Sequence, residues 1–112
     1  MKISVLQQRP RFRTGRPGED FDLNMRKRLL NQTMEDCYAM VEEAGRRKSQ
    51  LAVTIECVNS YLNYGDKRFY YPGYYEGLDG QQVERFTKLA RAYKMHIVAG
   101  LNLTIDGSTY NC

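Results

Sequence analysis

Two stretches of the chain place apolar residues at helical intervals. In the first, from Leu23 to Arg47, the spacings of three, four and seven residues give a seam of Leu23, Leu30, Met34, Cys37, Val41 and Ala44. In the second, the seam is Val83, Phe86, Ala90 and Tyr93, and Asp79 is placed to cap its start. Gly45 and the cations that follow it are typical of a helix end. The pattern predicts two amphipathic helices.

Three other stretches have the composition of β-strands: residues 2–8, 51–56 and 95–105. Asp106-Gly107 then predicts a two-residue hairpin into a fourth strand, STYNC. Together with the helices, the order β-α-β-loop-α-β-β predicts an α/β fold, with parallel early strands and both helices on one face of the sheet.

The alternation of side chains along the strands predicts which face the helices cover. Leu51, Val53 and Ile55 share one face of the second strand, and Ala52, Thr54 and Glu56 share the other. The bulky apolar face is expected beneath the helices. A sheet covered on both sides would be apolar on both sides, so the small, polar face is expected to meet a partner layer, a ligand or water.

Composition limits the class of protein. The chain has 112 residues, enough for one domain, and its 42% hydrophobic and 27% charged content is that of a globular protein. No apolar run is long enough to cross a bilayer, and the first residues lack a secretory signal's apolar core, so we expect a cytoplasmic protein. Three dispersed cysteines and one histidine argue against a disulfide framework and a zinc site. Neither a metal nor a cofactor is expected.

Two segments could bind a ligand without catalysis. Arg9, Arg11, Arg13 and Arg16 form a basic cluster within a net charge of +4, but acids follow it directly, and nucleic acid is not the expected partner. Residues 57–78 are rich in tyrosine and could line a pocket, stack on bases or pack on their own rings. Tyr61 and Tyr64 are the candidate substrate contacts in this segment.

Glu56 is the candidate for chemistry, because it ends a parallel strand, where α/β sheets bind ligands. It could act as a general base, or it could be a solvated or arginine-paired carboxylate. Cys57 should point away from it, since neighbours on a strand face opposite sides. Cys37 lies in a helix seam, Cys112 ends the chain, and none of the three thiols makes a persuasive nucleophile. The sole histidine, His96, is expected to be structural.

These residues resemble the N-terminal part of the nitrilase, or carbon–nitrogen hydrolase, superfamily. VEEAGRRKSQLAVTIE is similar to that family's helix end and second strand, which usually closes in Phe-Pro-Glu. LARAYKMHIVAGL resembles its later helix and strand, and IDGSTYN its hairpin ending in Tyr-Asn. KISVLQQRP fits less specifically. The resemblance spans nearly all of the chain but less than half of a usual family member.

The resemblance implies half of an αββα sandwich and a Glu-Lys-Cys triad. In that chemistry a thiolate attacks a nitrile, amide or carbamoyl carbon, a glutamate transfers protons, and a lysine stabilises the tetrahedral species. Glu56 takes the glutamate's position, and the lysine and cysteine fall beyond Cys112. The family's Phe-Pro is replaced by Thr54-Ile55, and its Gly-Ala-Asp by residues 48–50.

Three hypotheses follow for the single domain 1–112. The first is the N-terminal portion of a carbon–nitrogen hydrolase, inactive alone, which self-associates through an unpaired sheet face and edge. The second is a non-catalytic module that binds an anionic ligand or RNA through the tyrosine-rich loop and the arginine cluster. The third is a pseudoenzyme subunit that pairs with another chain.

Overall fold

The computed structural model describes residues 1–8, 23–59 and 75–112, with side chains from residue 28 onward in the middle range. Its elements are β1 Ile3–Val5, α1 Leu23–Arg46, β2 Leu51–Val53, α2 Gln81–Tyr93, β3 His96–Val98, β4 Asn102–Ile105 and β5 Ser108–Asn111. The described part of the chain is therefore mixed α/β, as predicted. It contains five strands in two sheets, where the sequence pattern predicted four strands in one.

The first sheet contains three parallel strands in the order β1-β2-β3. The second is the antiparallel hairpin β4-β5, closed by Asp106 and Gly107 at φ values of 50° and 78°. Two consecutive positive φ values suit the right-handed twist of a hairpin, and Asp-Gly adopts them readily. The predicted hairpin is confirmed.

The prediction of one strand over residues 95–105 is wrong, because the chain changes sheets between β3 and β4. Thr54 N–H still bonds the Val98 carbonyl at 3.0 Å. Leu101 instead pairs with Cys112 through two backbone hydrogen bonds of 2.8 and 2.7 Å, which extend the hairpin. The prediction of a strand as far as Glu56 is also wrong, since β2 ends at Val53 and residues 56–59 form a turn.

Both helices pack against one core, α1 through its predicted seam from Leu30 onward and α2 through Phe86 with the partly buried Val83 and Tyr93. The buried residues of α1 are Leu30, Met34, Cys37, Tyr38, Val41 and Ala44, and Phe86 of α2 packs against them. Asp79 is not the cap of α2. The N-cap is Gly80, and the Glu76 carboxylate accepts a hydrogen bond from the backbone N–H of Gln82 at 2.7 Å. Neither helix is long and apolar enough to cross a membrane.

The predicted face of β2 is reversed. Ala52 is fully buried in the core beneath the helices, and its register neighbour Ile97 packs against the same core. Leu51 and Val53 therefore point to the other side. This side is the open face, and its residues are Ile3, Val5, Leu51, Val53, His96 and Val98.

Both helices end in the same backbone motif, with a lysine at a left-handed position. Lys48 and Lys94 have φ values of 58° and 49°. Ser49 N–H bonds the Ala44 carbonyl and Met95 N–H bonds the Ala90 carbonyl, each at 3.0 Å. These are the long hydrogen bonds of a Schellman cap, whose left-handed residue is usually glycine. The left-handed region costs an L-residue about 1–2 kcal/mol.

We expect Lys48→Gly and Lys94→Gly each to stabilise the fold by about 1 kcal/mol when salt screens the lost charge. Glycine adopts the left-handed conformation without strain, and the backbone hydrogen bonds of the cap are kept. Urea unfolding followed by circular dichroism measures the change. Lys88→Gly, at an exposed position inside α2, is the matched control and should destabilise by about 1 kcal/mol. A lower unfolding midpoint for both cap variants would contradict this account.

Candidate functional site

Glu56 lies in the turn that follows β2, at the carboxyl end of the parallel sheet. Its carboxylate is exposed, and Oε1 accepts a hydrogen bond from Nδ2 of Asn111 at 2.5 Å. The two residues are 55 positions apart in the chain. The end of the hairpin therefore lies against the end of the parallel sheet, which is where α/β proteins bind ligands.

Asn111 also contacts Cys57. Its side-chain oxygen Oδ1 accepts from the Cys57 thiol at 3.5 Å, and Oδ1 of Asn102 lies 3.6 Å from the same sulfur. The prediction that Glu56 and Cys57 diverge assumed a strand that continues past them. Cys57 instead has a left-handed φ of 51°, and both side chains contact the same amide group. One side of the Asn111 amide binds the carboxylate and the other binds the thiol.

The buried side chain of Asn59 holds the turn of residues 56–59 in place through hydrogen bonds. It is 1% exposed, and its side-chain oxygen accepts from Asn102 N–H at 2.8 Å. Its Nδ2 donates to the Asn102 carbonyl at 2.9 Å and to Oε1 of Gln82 at 2.7 Å. A single buried amide thus joins the turn that carries Glu56 to β4 and to the start of α2.

Gly100 allows two backbone segments to touch at this site. A Cβ at this position would lie 2.7 Å from the Ile55 carbonyl oxygen and 2.8 Å from the Cα of Glu56. Val58 N–H bonds the Gly100 carbonyl at 2.8 Å, so the two segments are held together as well as close. A side chain at Gly100 would push against the backbone that carries Glu56.

Gly100→Ala is expected to destabilise the protein by about 3 kcal/mol, because backbone atoms must move to admit the methyl group. Thermal unfolding measures the loss. Gly77→Ala is the comparison, since its Cβ would meet mainly the carboxylate oxygen of Asp79, which can rotate away. Equal stability of the two variants would show that residues 55–57 can move without cost.

No hydrogen bond joins the other two thiols or the histidine to Glu56 among the described residues, although Cys112 directly follows Asn111. Cys37 is buried in the helix core, and burial raises the pKa of its thiol to about 12. Its neutral thiol agrees with the predicted structural role. Cys112 is exposed, and its thiol contacts the Tyr110 carbonyl at 3.8 Å. His96 begins β3 and is exposed, at the edge of the sheet opposite to Glu56.

The arrangement provides a proton acceptor with a fixed orientation. An exposed carboxylate whose Oε1 is held by an amide keeps lone pairs free to take a proton from a bound molecule. No lysine or arginine among residues 1–8, 28–59 and 75–112 forms an ion pair with Glu56. Within the same residues, no group of three or more histidine, cysteine, aspartate and glutamate side chains is placed to hold a metal ion.

Sequence reasoning missed the three asparagines that build the site. Asn111 carried a signal, since it ends the Tyr-Asn hairpin in the resemblance, but residue spacing gave no reason to place it at Glu56. Asn59 and Asn102 carried none. Two sets of predicted binding residues lie outside the described residues: the tyrosines Tyr61 and Tyr64, and the cluster Arg9, Arg11, Arg13 and Arg16.

Comparison with known proteins adds no assignment. No protein-family model matches this sequence, and no curated protein matches it.

Proposed function

We propose that this chain is the N-terminal portion of a carbon–nitrogen hydrolase in which Glu56 is the general base. The hydrogen bond between Asn111 Nδ2 and Glu56 Oε1 carries the proposal. The resemblance rests on segments that are far apart in the sequence. Two of them end in Glu56 and Asn111, and these two residues are in contact. Gly100, from a third segment, packs against the Glu56 backbone.

The open face gives independent support for the sandwich architecture. Val5 is 77% exposed and Val98 is 56% exposed, although both belong to a sheet whose other side is a packed core. Exposed apolar patches of this kind are typical of surfaces that another layer covers. A second sheet packed face to face is the layer that an αββα sandwich supplies.

In the proposed reaction, Glu56 accepts the proton of a cysteine thiol as the thiolate attacks an amide, nitrile or carbamoyl carbon. With an amide or carbamoyl substrate it returns the proton to the departing nitrogen, which leaves a thioester. With a nitrile the proton goes to the nitrile nitrogen to form a thioimidate, which water converts to the thioester with release of ammonia. A water molecule then releases the acyl group from the thioester. A lysine stabilises the negative charge of the tetrahedral species. In this proposal the lysine and the nucleophilic cysteine come from sequence beyond Cys112, and Asn111 orients the carboxylate.

The test compares the 112-residue chain with a longer product. The chain alone should release no ammonia from a panel of amides, nitriles and carbamoyl compounds. The DNA downstream of the Cys112 codon should continue in frame to a lysine and a cysteine in family context, and its product should hydrolyse at least one member of the panel. Hydrolysis by the chain alone would refute the proposal. Activity only on addition of a different chain would identify a pseudoenzyme subunit instead.

We expect the isolated chain to self-associate through the open face, and Val5→Lys with Val98→Lys to reduce this. Both positions are exposed, so the charges disrupt contacts between molecules with little change in the fold. Sedimentation velocity over a concentration series measures the effect. Leu78→Lys is the matched control, since Leu78 is 63% exposed but lies outside the sheet. An unchanged mass for the double variant would exclude this face as the contact surface.

A further inference from the structure

The end of the parallel sheet at which its strands begin lies opposite to Glu56 and is strongly basic. Three segments contribute to it: the residue before β1, the end of α1 and the end of α2. Its cations are Lys2, Arg46, Arg47, Lys48, Arg91 and Lys94, all of them exposed. We call this surface the basic edge. Among the described residues, its only acids are Glu42 and Glu43, which pair with Arg46 and Arg47 at 2.8 and 2.7 Å.

Backbone contacts bring the three segments together. Lys2 Nζ donates to the Arg47 carbonyl at 2.6 Å, and the Lys2 carbonyl accepts from Gln50 N–H at 2.9 Å. The Tyr93 ring packs directly on Gly45, which places the two helix ends side by side. His96 N–H bonds the Gln50 carbonyl at 2.9 Å. The cations therefore occupy one continuous edge although they come from segments more than 40 residues apart.

Stability alone does not explain the lysines at this edge. Cations near a helix C-terminus interact favourably with the helix dipole. Arg46 already provides such a cation in the last turn of α1, and Arg91 provides one in the last turn of α2. Lys48 and Lys94 in addition occupy left-handed positions that glycine would fill without strain. Neither lysine forms an ion pair with another described residue. Both ammonium groups are therefore available to an external anion.

We propose that the basic edge binds the phosphate backbone of a nucleic acid. Clustered, exposed lysines and arginines attract phosphates through charge and the release of counterions. An anionic membrane fits less well, because surface binding to lipid combines charge with an apolar helical face. Here both helices turn their apolar seams into the core, and the exposed apolar residues Ile3, Val5 and Val98 lie on strands, not on a helix. The sequence could not reveal this surface, since it is assembled by folding from separated segments.

Lys48→Gly with Lys94→Gly tests the proposal without loss of the fold, because both changes relieve backbone strain. The probe is a fluorescein-labelled, mixed-sequence RNA oligonucleotide, followed by fluorescence anisotropy from low to moderate salt. Wild type should bind, and its affinity should fall steeply with salt. The double variant should bind about tenfold more weakly, with a slope of log affinity against log salt that is shallower by about 1.4.

Arg28→Gln with Lys88→Gln is the matched control, since it removes the same net charge from exposed positions outside the basic edge. The control should keep nearly wild-type affinity for the RNA. Equal weakening of the two double variants would overturn the proposal, because net charge alone would explain binding. Absence of RNA binding by wild type at low salt would overturn it too. So would binding to phosphatidylserine vesicles that exceeds binding to RNA.

Discussion

Glu56→Gln in a longer product that hydrolyses an amide or nitrile is expected to lower kcat by about a thousandfold, the usual contribution of a general acid–base group. Glutamine keeps an oxygen that can accept from Asn111 but cannot take the thiol proton. The substrate should still bind, so KM should change far less than kcat. Steady-state ammonia release measures both constants.

Cys57→Ser is the control for this experiment. Serine keeps a donor for the Asn111 oxygen, and Cys57 is not the nucleophile in the proposed mechanism. The variant should keep most of its activity. Loss of activity in Cys57→Ser comparable with that in Glu56→Gln would make Cys57 the reactive thiol. Full activity of Glu56→Gln would remove Glu56 from the mechanism.

Asn59→Leu is expected to destabilise the protein by about 3 kcal/mol, because it leaves several half-buried hydrogen-bonding groups without partners. Asn102 would lose its partners at both N–H and carbonyl, and Gln82 would lose one at Oε1. Leucine has a similar size, so the loss reports on the hydrogen bonds more than on packing. Urea unfolding gives the free energy of unfolding.

Asn31→Leu is the comparison for Asn59→Leu, since Asn31 is an exposed residue of α1 and its replacement should change stability by less than about 0.5 kcal/mol. A similarly small effect of Asn59→Leu would mean that water replaces the lost partners. In that case the turn that carries Glu56 would not depend on the buried amide.

The helices and the hairpin were predictable because their signals are local. Helical spacing identified the buried seam of α1 from Leu30 to Ala44, and Asp106-Gly107 identified the hairpin. The ends of β2 and β3 were not predictable, because apolar residues continue beyond both. Contacts between distant segments decide where the pairing of these strands stops. One such contact is the close approach of Gly100 to the Ile55 backbone.

The face of β2 and the neighbours of Glu56 required the tertiary structure. Alternation shows that Leu51 and Ala52 face opposite sides, but it does not show which side the helices cover. The bulkier residues were assigned to the core, yet Ala52 is the one that is fully buried. In the same way, the sequence placed Glu56 close to the end of a strand, while the contact with Asn111 depends on the docking of the hairpin.

The parallel sheet has a consequence for the order of folding. Its strands are three residues long, and Ile3 pairs with Leu51, 48 positions further along the chain, only after the segment between them has been closed into a loop. The β4-β5 hairpin needs a loop of two residues. Closure of a long loop costs more chain entropy and delays its contacts. The hairpin and helices should therefore form early and the parallel pairing late, and the contact between Glu56 and Asn111, which are 55 positions apart, should also form late.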